Sequence, residues 1–518
     1  MWKTISILLI VVILCLLPFG CTKGKEESST PPTTSDAPAP SVSGIITDNN
    51  QDELVWVIDN SSYAGYMQDD INRILREKGK SYSVKIKAID AQQLDYIAEL
   101  KNMMDSEQQA DISYIPGNAR KDNYYELVQN RMIEPLDSYL QSEAGKPLKD
   151  AIEPNRWEML KVNGDIYGVN NPYFHTSIGY LYNKSLLEKY NIDPKTLKTD
   201  VFQNEEILMQ IYEGAKAPIA LWEFNERLLN YAFLANSPLI GYSFEDRVGK
   251  AVSVFEEPFV RAFLELMKRF KDKGYISSLN IEGYASVERI NGYFALLYYC
   301  SLPAFSETIF SGFRDRSGDA ITTLTVFVPV GINSITCFYT PMGAVTVIPS
   351  WSQKKEDALD FLTLLYTDPD VANLVAFGVE NRDYSLDNKG RVEKRLEGSG
   401  YDYWPVWYTN DLITYPHDEQ PDDKKALIEK MLRETTLPAL SSFHFDPTPV
   451  QSELDAVNAI FRVPDIGQYT TEAADLLSGK VNDLDTALSA FQEKLKAAGI
   501  DRVVEEANRQ IAEWKQKK

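Results

Sequence analysis

Four cysteines and three histidines in 518 residues leave little material for thiol or metal chemistry. His175, His417 and His444 are widely spaced, no CxxC pair occurs and HExxH is missing, so neither a zinc site nor a dithiol centre is announced. GxGxxG and the Walker A pattern are missing too, which removes the usual phosphate cradles. No GxSxG elbow marks a nucleophilic serine. The sequence implies no cofactor and no metal. Positive charge is also scarce: 53 basic against 75 acidic side chains give a formal charge of −22. Nucleic-acid binding needs a basic footprint, so that class is set aside. Paired-carboxylate catalysis is the one chemistry these absences leave open, although most of the acidic residues are expected on solvated surface.

What is present is a soluble globular composition, 44% apolar and 25% charged, in a chain too long for a single ordinary core. Two or more lobes are expected. Tyrosines (29) outnumber phenylalanines (22), which favours surfaces that are apolar and hydrogen-bonding at once. At the N-terminus, Lys3 precedes "ISILLIVVILCLL", a short apolar run with the layout of a secretory signal. It is short for a membrane span, although an uncleaved anchor helix is the alternative. "LPFGC" closes it and resembles the bacterial lipobox, with Pro18 where that motif usually has a small or medium aliphatic residue. The expectation is a signal peptide over 1–20 and lipid attachment at Cys21, with the body outside the cytoplasm. Residues 21–48, rich in Ser, Thr and Pro, read as a disordered tether. Beyond Cys15 and Cys21 only Cys300 and Cys337 remain, for which a disulfide and two buried thiols both fit.

After the tether, "LVWVID" (54–59) is a continuous apolar run of the kind a strand buried on both faces requires. A helix with Ile71, Ile74 and Leu75 on one face follows, then the alternating strand "YSVKIKAID", a second helix, and "ADISYIPG" (110–117). This β-α-β-α-β order opens a parallel sheet, and ligands of such sheets sit beyond the C-terminal strand ends. Strands are also expected within 217–225, 292–301, 324–331 and 343–349, and a helix over 356–368. In the last helix Val504, Ala507, Ile511 and Trp514 share one face.

The stretch 167–193, "YGVNNPYFHTSIGYLYNKSLLEKYNID", breaks at Asn-Asn-Pro and there shows three rings in a row. Its residues Gly164, Tyr167, Gly168 and Val169, then Leu181, Tyr182, Asn183, Lys184, Leu186 and Leu187, resemble the crossover of family 1 extracellular solute-binding proteins. These are the sugar-type receptors of bacterial ABC importers related to maltodextrin-binding protein. Asn170 stands where that family often has Pro. "MIEPLDSYL" (132–140), 357–384 and the C-terminal "LKAAGIDRVVEEANRQIAEW" agree in order, so the similarity runs from about residue 50 to the end.

The resemblance implies an α/β fold of two lobes, each an open, mostly parallel sheet flanked by helices, with a ligand cleft between them. The first lobe would comprise 49–170 with 341–398, and the second 171–340 with 399–518. It further implies a monomeric, membrane-tethered, extracellular receptor that closes on a carbohydrate and delivers it to ABC permease subunits. Two other readings stay open: a secreted glycosidase or lyase, and a sugar sensor for a membrane kinase.

Candidate ligand residues follow from strand ends and from position in the family pattern. Asp59, Asn60 and Ser61 follow the first strand, with helix capping as the alternative role of Ser61. Tyr114 and Asn118 border the third strand's end. Tyr173, Phe174 and His175 fall at the crossing, where a ring can stack on a pyranose while polar groups orient it. Trp222 and Glu223 lie in "ALWEFN", and Tyr299 and Ser301 in "ALLYYCS". The densest ring cluster, "GYDYWPVWYTN" (400–410), offers Trp404 and Trp407 as a stacking wall, or as core. "LDNKG" (386–390) is a turn without the carboxylate ladder of a calcium loop.

Overall fold

In a computed structural model, the described residues are 52–517 except for 60–63, 91–94, 117–120, 171–176, 221–230, 276–294, 301–308, 311–324, 330–344, 397–405, 417–424, 430–436, 465–467 and breaks of one or two residues. The described part begins with β1 (Asp52–Ile58), β2 (Tyr82–Ala88) and β3 (Ile112–Ile115), with helices Ala64–Glu77 and Tyr96–Asp105 between them. A hairpin follows, β4 (Lys161–Val162) and β5 (Asp165–Ile166), then β6 (Gly168–Asn170). Next come β7 (Ser177–Asn183), β8 (Ile219–Ala220), β9 (Tyr231–Leu234), β10 (Ser237–Ser243), β11 (Val252–Ser253), β12 (Ala295–Cys300), β13 (Ile309–Phe310) and β14 (Thr325–Pro329). The chain then returns through β15 (Val345–Val347).

The first sheet has the order β2-β1-β3-β15-β6. Its inner strand β1 has every residue from Leu54 to Ile58 buried, as a strand covered on both faces demands. Burying each of its aliphatic side chains, Leu54, Val55, Val57 and Ile58, contributes about 1.5–3 kcal/mol. Helix Ala64–Glu77 lays Met67, Ile71, Ile74 and Leu75 onto this core, and helix Lys355–Thr367 adds Phe361, Leu362 and Leu365.

Four of the five strands run one way. β1 is parallel to β2 and β3, whereas β15 is antiparallel to both β3 and β6, so β6 shares the direction of the first three. The second sheet, β13-β14-β7-β12-β8, departs from the expected mostly parallel arrangement. Only β12 and β8 pair in parallel; β7 is antiparallel to both neighbours, and β13 to β14. The reason is the path of the chain. β7 enters from the first sheet and is placed in the middle of the second, so it runs against the strands on either side. β15 does the same on the way back.

A second core surrounds the antiparallel β9–β11 sheet, which the sequence pattern does not announce. It includes Tyr231, Leu239, Ile240 and Tyr242, and helix Pro258–Asp272 through Val260, Leu264, Met267 and Phe270. Helices Gln451–Phe461, Thr471–Leu477, Leu484–Ala497 and Ile500–Lys517 belong to the same core. In the last of these Val503, Ala507 and Ile511 are buried, with Val504 and Trp514 partly covered. The expected apolar face is present.

Two glycines of the crossover motif have separate physical causes. Asn163 and Gly164 have φ of 55° and 101° and form the tight turn of the β4–β5 hairpin, the Asn-Gly signature of a two-residue loop. Gly168 is needed for space: a Cβ there would lie 2.4 Å from Val345 Cγ1 and 3.1 Å from the Thr346 carbonyl oxygen. Gly168→Ala is expected to destabilise the chain by about 1–3 kcal/mol through overpacking between β6 and β15, read as a lower urea midpoint at unchanged m-value.

Candidate functional site

β6 ends at Asn170 in the first sheet and β7 begins at Ser177 in the second. The Asn-Asn-Pro break therefore joins the two sheets, as expected of a crossing. Tyr173, Phe174 and His175 themselves lie outside the described residues, as do Asn60, Ser61, Asn118, Trp222, Glu223, Ser301, Trp404, Cys21 and Cys337. Tyr299 is placed by its backbone in β12, opposite Ile178 of β7. Asn170, the departure from the family's Pro, has a use that Pro lacks. Its side-chain oxygen accepts a 3.0 Å hydrogen bond from the buried Arg156 guanidinium.

Three of the expected residues, Asp59, Tyr114 and Trp407, gather around a fourth that sequence reasoning passed over, Tyr408. Asp59 follows β1 at its C-terminal end and stays partly exposed. The Tyr408 hydroxyl donates to Asp59 Oδ1 at 2.6 Å. Tyr408 is fully buried and meets Tyr114 edge to face at 4.6 Å, Trp56 at 5.6 Å and Trp407 at 5.8 Å between ring centroids. Tyr114 is 2% exposed, so its ring supports Tyr408 and offers no open face. Trp407 is half-buried, packing against the first core and against the cluster of Phe377, Tyr384 and Val392. Both rings make packing contacts with the first core. Residues 407–415 thus pack with the first core and its helices, whereas the sequence division at 399 expects them in the second lobe.

The electrostatics distinguish Asp59. Burial raises its proton affinity above the usual carboxylate range, and the Tyr408 hydroxyl opposes that rise in part. Tyr96 lies close enough for the Asp59 charge to raise its phenol as well, in addition to the effect of burial, while its hydroxyl bonds the Val57 carbonyl at 3.3 Å and Ser113 Oγ at 3.2 Å. No group of three or more His, Cys, Asp or Glu suited to a metal is found among the described residues. At "LDNKG", Asp387 accepts hydrogen bonds from Lys389 N, Arg391 N and Arg391 Nε. It is a turn closed by its own arginine.

A signal for Tyr408 exists in hindsight: it precedes Thr409-Asn410, two side chains suited to capping. They bond the carbonyls of Leu365 and Tyr366, the latter at 3.1 Å, at the C-terminal end of helix Lys355–Thr367.

Comparison with known proteins adds three findings. The family model described as a domain of unknown function (DUF3502) matches residues 439–516. A protein of Streptococcus pneumoniae serotype 4 named carbohydrate ABC transporter substrate-binding protein is 26% identical over 469 residues, covering 87% of this chain and 89% of that protein. Among solved structures, the N-glycan transport solute-binding protein NgtS from Streptococcus pneumoniae aligns with a TM-score of 0.69 at 23% identity, covering 90% of this chain and 99% of its own. An extracellular solute-binding protein from Bifidobacterium longum subsp. infantis aligns at 0.53 with 14% identity, over 90% and 99% of the two chains.

Asp59 is an acid whose proton affinity rises on folding. It therefore favours the folded state below its unfolded pKa, and that contribution is lost as pH rises through the folded value. Asp59→Asn removes the ionisation and is expected to raise the melting temperature at pH 7, with no gain near pH 3, in thermal melts across pH. The fold is that of the two-lobed, periplasmic-binding-protein-like solute-binding proteins.

Proposed function

We propose that this chain is a membrane-tethered extracellular receptor that captures a carbohydrate between its lobes and passes it unaltered to an ABC permease. The observation that carries this reading is the similarity over 87% of the chain to a protein named for carbohydrate ABC transport. The geometry supports it. An aromatic-backed carboxylate stands at the C-terminal end of a parallel strand, the place where open α/β sheets bind ligands, in the same sheet that sends out the crossing. A carboxylate accepts hydrogen bonds from sugar hydroxyls without needing a charged ligand.

Binding stabilises the closed state because only there do both lobes touch the ligand. No bond is made or broken, and the protein acts as a monomer. NgtS has been crystallised with Man1GlcNAc and with Man5GlcNAc, which makes these two glycans the first members of a ligand panel. Attachment is through Cys21, the cysteine that closes the lipobox-like "LPFGC".

Titrating intrinsic tryptophan fluorescence with a panel of oligosaccharides is expected to give saturable one-to-one binding by at least one of them. Mass spectrometry of the recovered ligand should show it intact; cleavage products would point to a carbohydrate-active enzyme instead. Cys21→Ser is expected to move the protein from the membrane fraction into the medium, measured by immunoblot of both fractions.

A further inference from the structure

We propose that Tyr408 is the positioning residue of the ligand site: anchored by the end of helix Lys355–Thr367, its hydroxyl holds the Asp59 carboxylate in one orientation to accept hydrogen bonds from saccharide hydroxyls. The inference rests on the receptor reading and says which side chain sets the geometry of its polar contact.

Three observations carry it. The Tyr408–Asp59 bond is 2.6 Å, the length of a charge-assisted O–H···O⁻ contact. This hydroxyl and the backbone N–H of Asp59 itself take two of the carboxylate's roughly four lone-pair sites. Tyr408 itself cannot swing, because Trp56, Tyr114 and Trp407 close around its ring.

The backbone that carries Tyr408 is equally fixed. The last carbonyls of a helix lack partners within it; here those of Leu365 and Tyr366 are taken by the hydroxyl of Thr409 and the amide of Asn410. Both side chains are fully or almost fully buried. Asn410 Oδ1 also accepts from Leu412 N at 3.1 Å, which starts the next turn. Helix, turn and ring thus form one rigid arm ending on the carboxylate.

The surroundings of the acceptor separate positioning from ordinary packing. In this core Tyr96 and Tyr124 bond the carbonyls of Val57 and Leu160, and Tyr82 bonds the Asp360 carboxylate at 2.6 Å, where Lys80 pairs with the charge. Tyr408 bonds a carboxylate that makes no ion pair among the described residues and whose partial burial opposes its ionisation. Packing alone gives no reason to keep a charge there. A site that must present an oriented acceptor does. Among the described residues, the titratable group that bonds Asp59 is Tyr408, and the charge of Asp59 in turn raises the phenols of Tyr408 and Tyr96.

The test is a double-mutant cycle, with Man5GlcNAc as the probe and calorimetry as the readout, on the wild type, Tyr408→Phe, Asp59→Asn and the pair. Each single change is expected to weaken binding about tenfold or more, as loss of a hydrogen bond to a charged group does. The pair should bind no more than about threefold weaker than Asp59→Asn alone, because both changes remove one arrangement. Since the Tyr408 hydroxyl favours the ionised form of Asp59, affinity in Tyr408→Phe should fall at a higher pH on acidification than in the wild type. A merely structural role would leave that pH unmoved. If Tyr408→Phe binds within twofold of the wild type, or if the two losses simply multiply, the positioning role is wrong and the receptor reading stands. If the wild type binds neither Man5GlcNAc nor any other saccharide of the panel, the receptor reading fails and this inference falls with it.

Discussion

A chain that re-enters a parallel sheet from the C-terminal edge, with no helix to carry it back to the other edge first, must run against its neighbours. That constraint organises this molecule. β6 leaves in the direction of β1, β2 and β3, so β15, returning between β3 and β6, must run the other way. β7, the first strand after the crossing, is opposed to both its neighbours in the second sheet for the same reason. Both sheets therefore carry their reversed crossing strand inside the sheet, and the link between β6 and β7 emerges on the edge where Asp59 stands. The connectivity of the fold and the location of the candidate site have one cause.

Two aspartates near the two ends of these strands show how differently the same side chain is used. Asp111, just before β3, is fully buried, and its carboxylate accepts from Val55 N at 2.8 Å, Ser352 Oγ at 2.6 Å and Gln109 Nε2 at 2.6 Å. With both oxygens bonded, it stitches β1 and β3 to the loop after β15. Asp59, past the far end of β1, has one tyrosine hydroxyl, partial exposure and a raised proton affinity. Its environment opposes the charge that a ligand would use. Sites commonly carry such a stability cost.

The sequence makes some of this legible because local patterns act within a few residues. The continuous apolar run 54–59 marks a strand covered on both faces, the helical stripe of 64–77 marks its partner, and Asn163-Gly164 marks a hairpin. Strand direction in the second sheet was not legible, since antiparallel placement of β7 depends on where the chain re-enters. Nor was Tyr408. It lies 349 residues from Asp59, and only the Thr409-Asn410 pair after it sets its ring apart from those of Trp404 and Trp407. What selects it is the helix end it sits beside, a tertiary fact. The crossing itself is legible through its motif, and the strands on either side of 171–176 agree that it is there.

The position of β15 also bears on how the chain acquires its structure. The first sheet lacks an inner strand until Val345–Val347 has been made, because β3 and β6 meet only through it. A chain delivered N-terminus first therefore carries two incomplete pieces, β2-β1-β3 and the isolated β6, while the whole of the second sheet is still to come. Such distant pairing is the slow step of folding, and an unfilled β3 edge is an invitation to aggregation in the meantime.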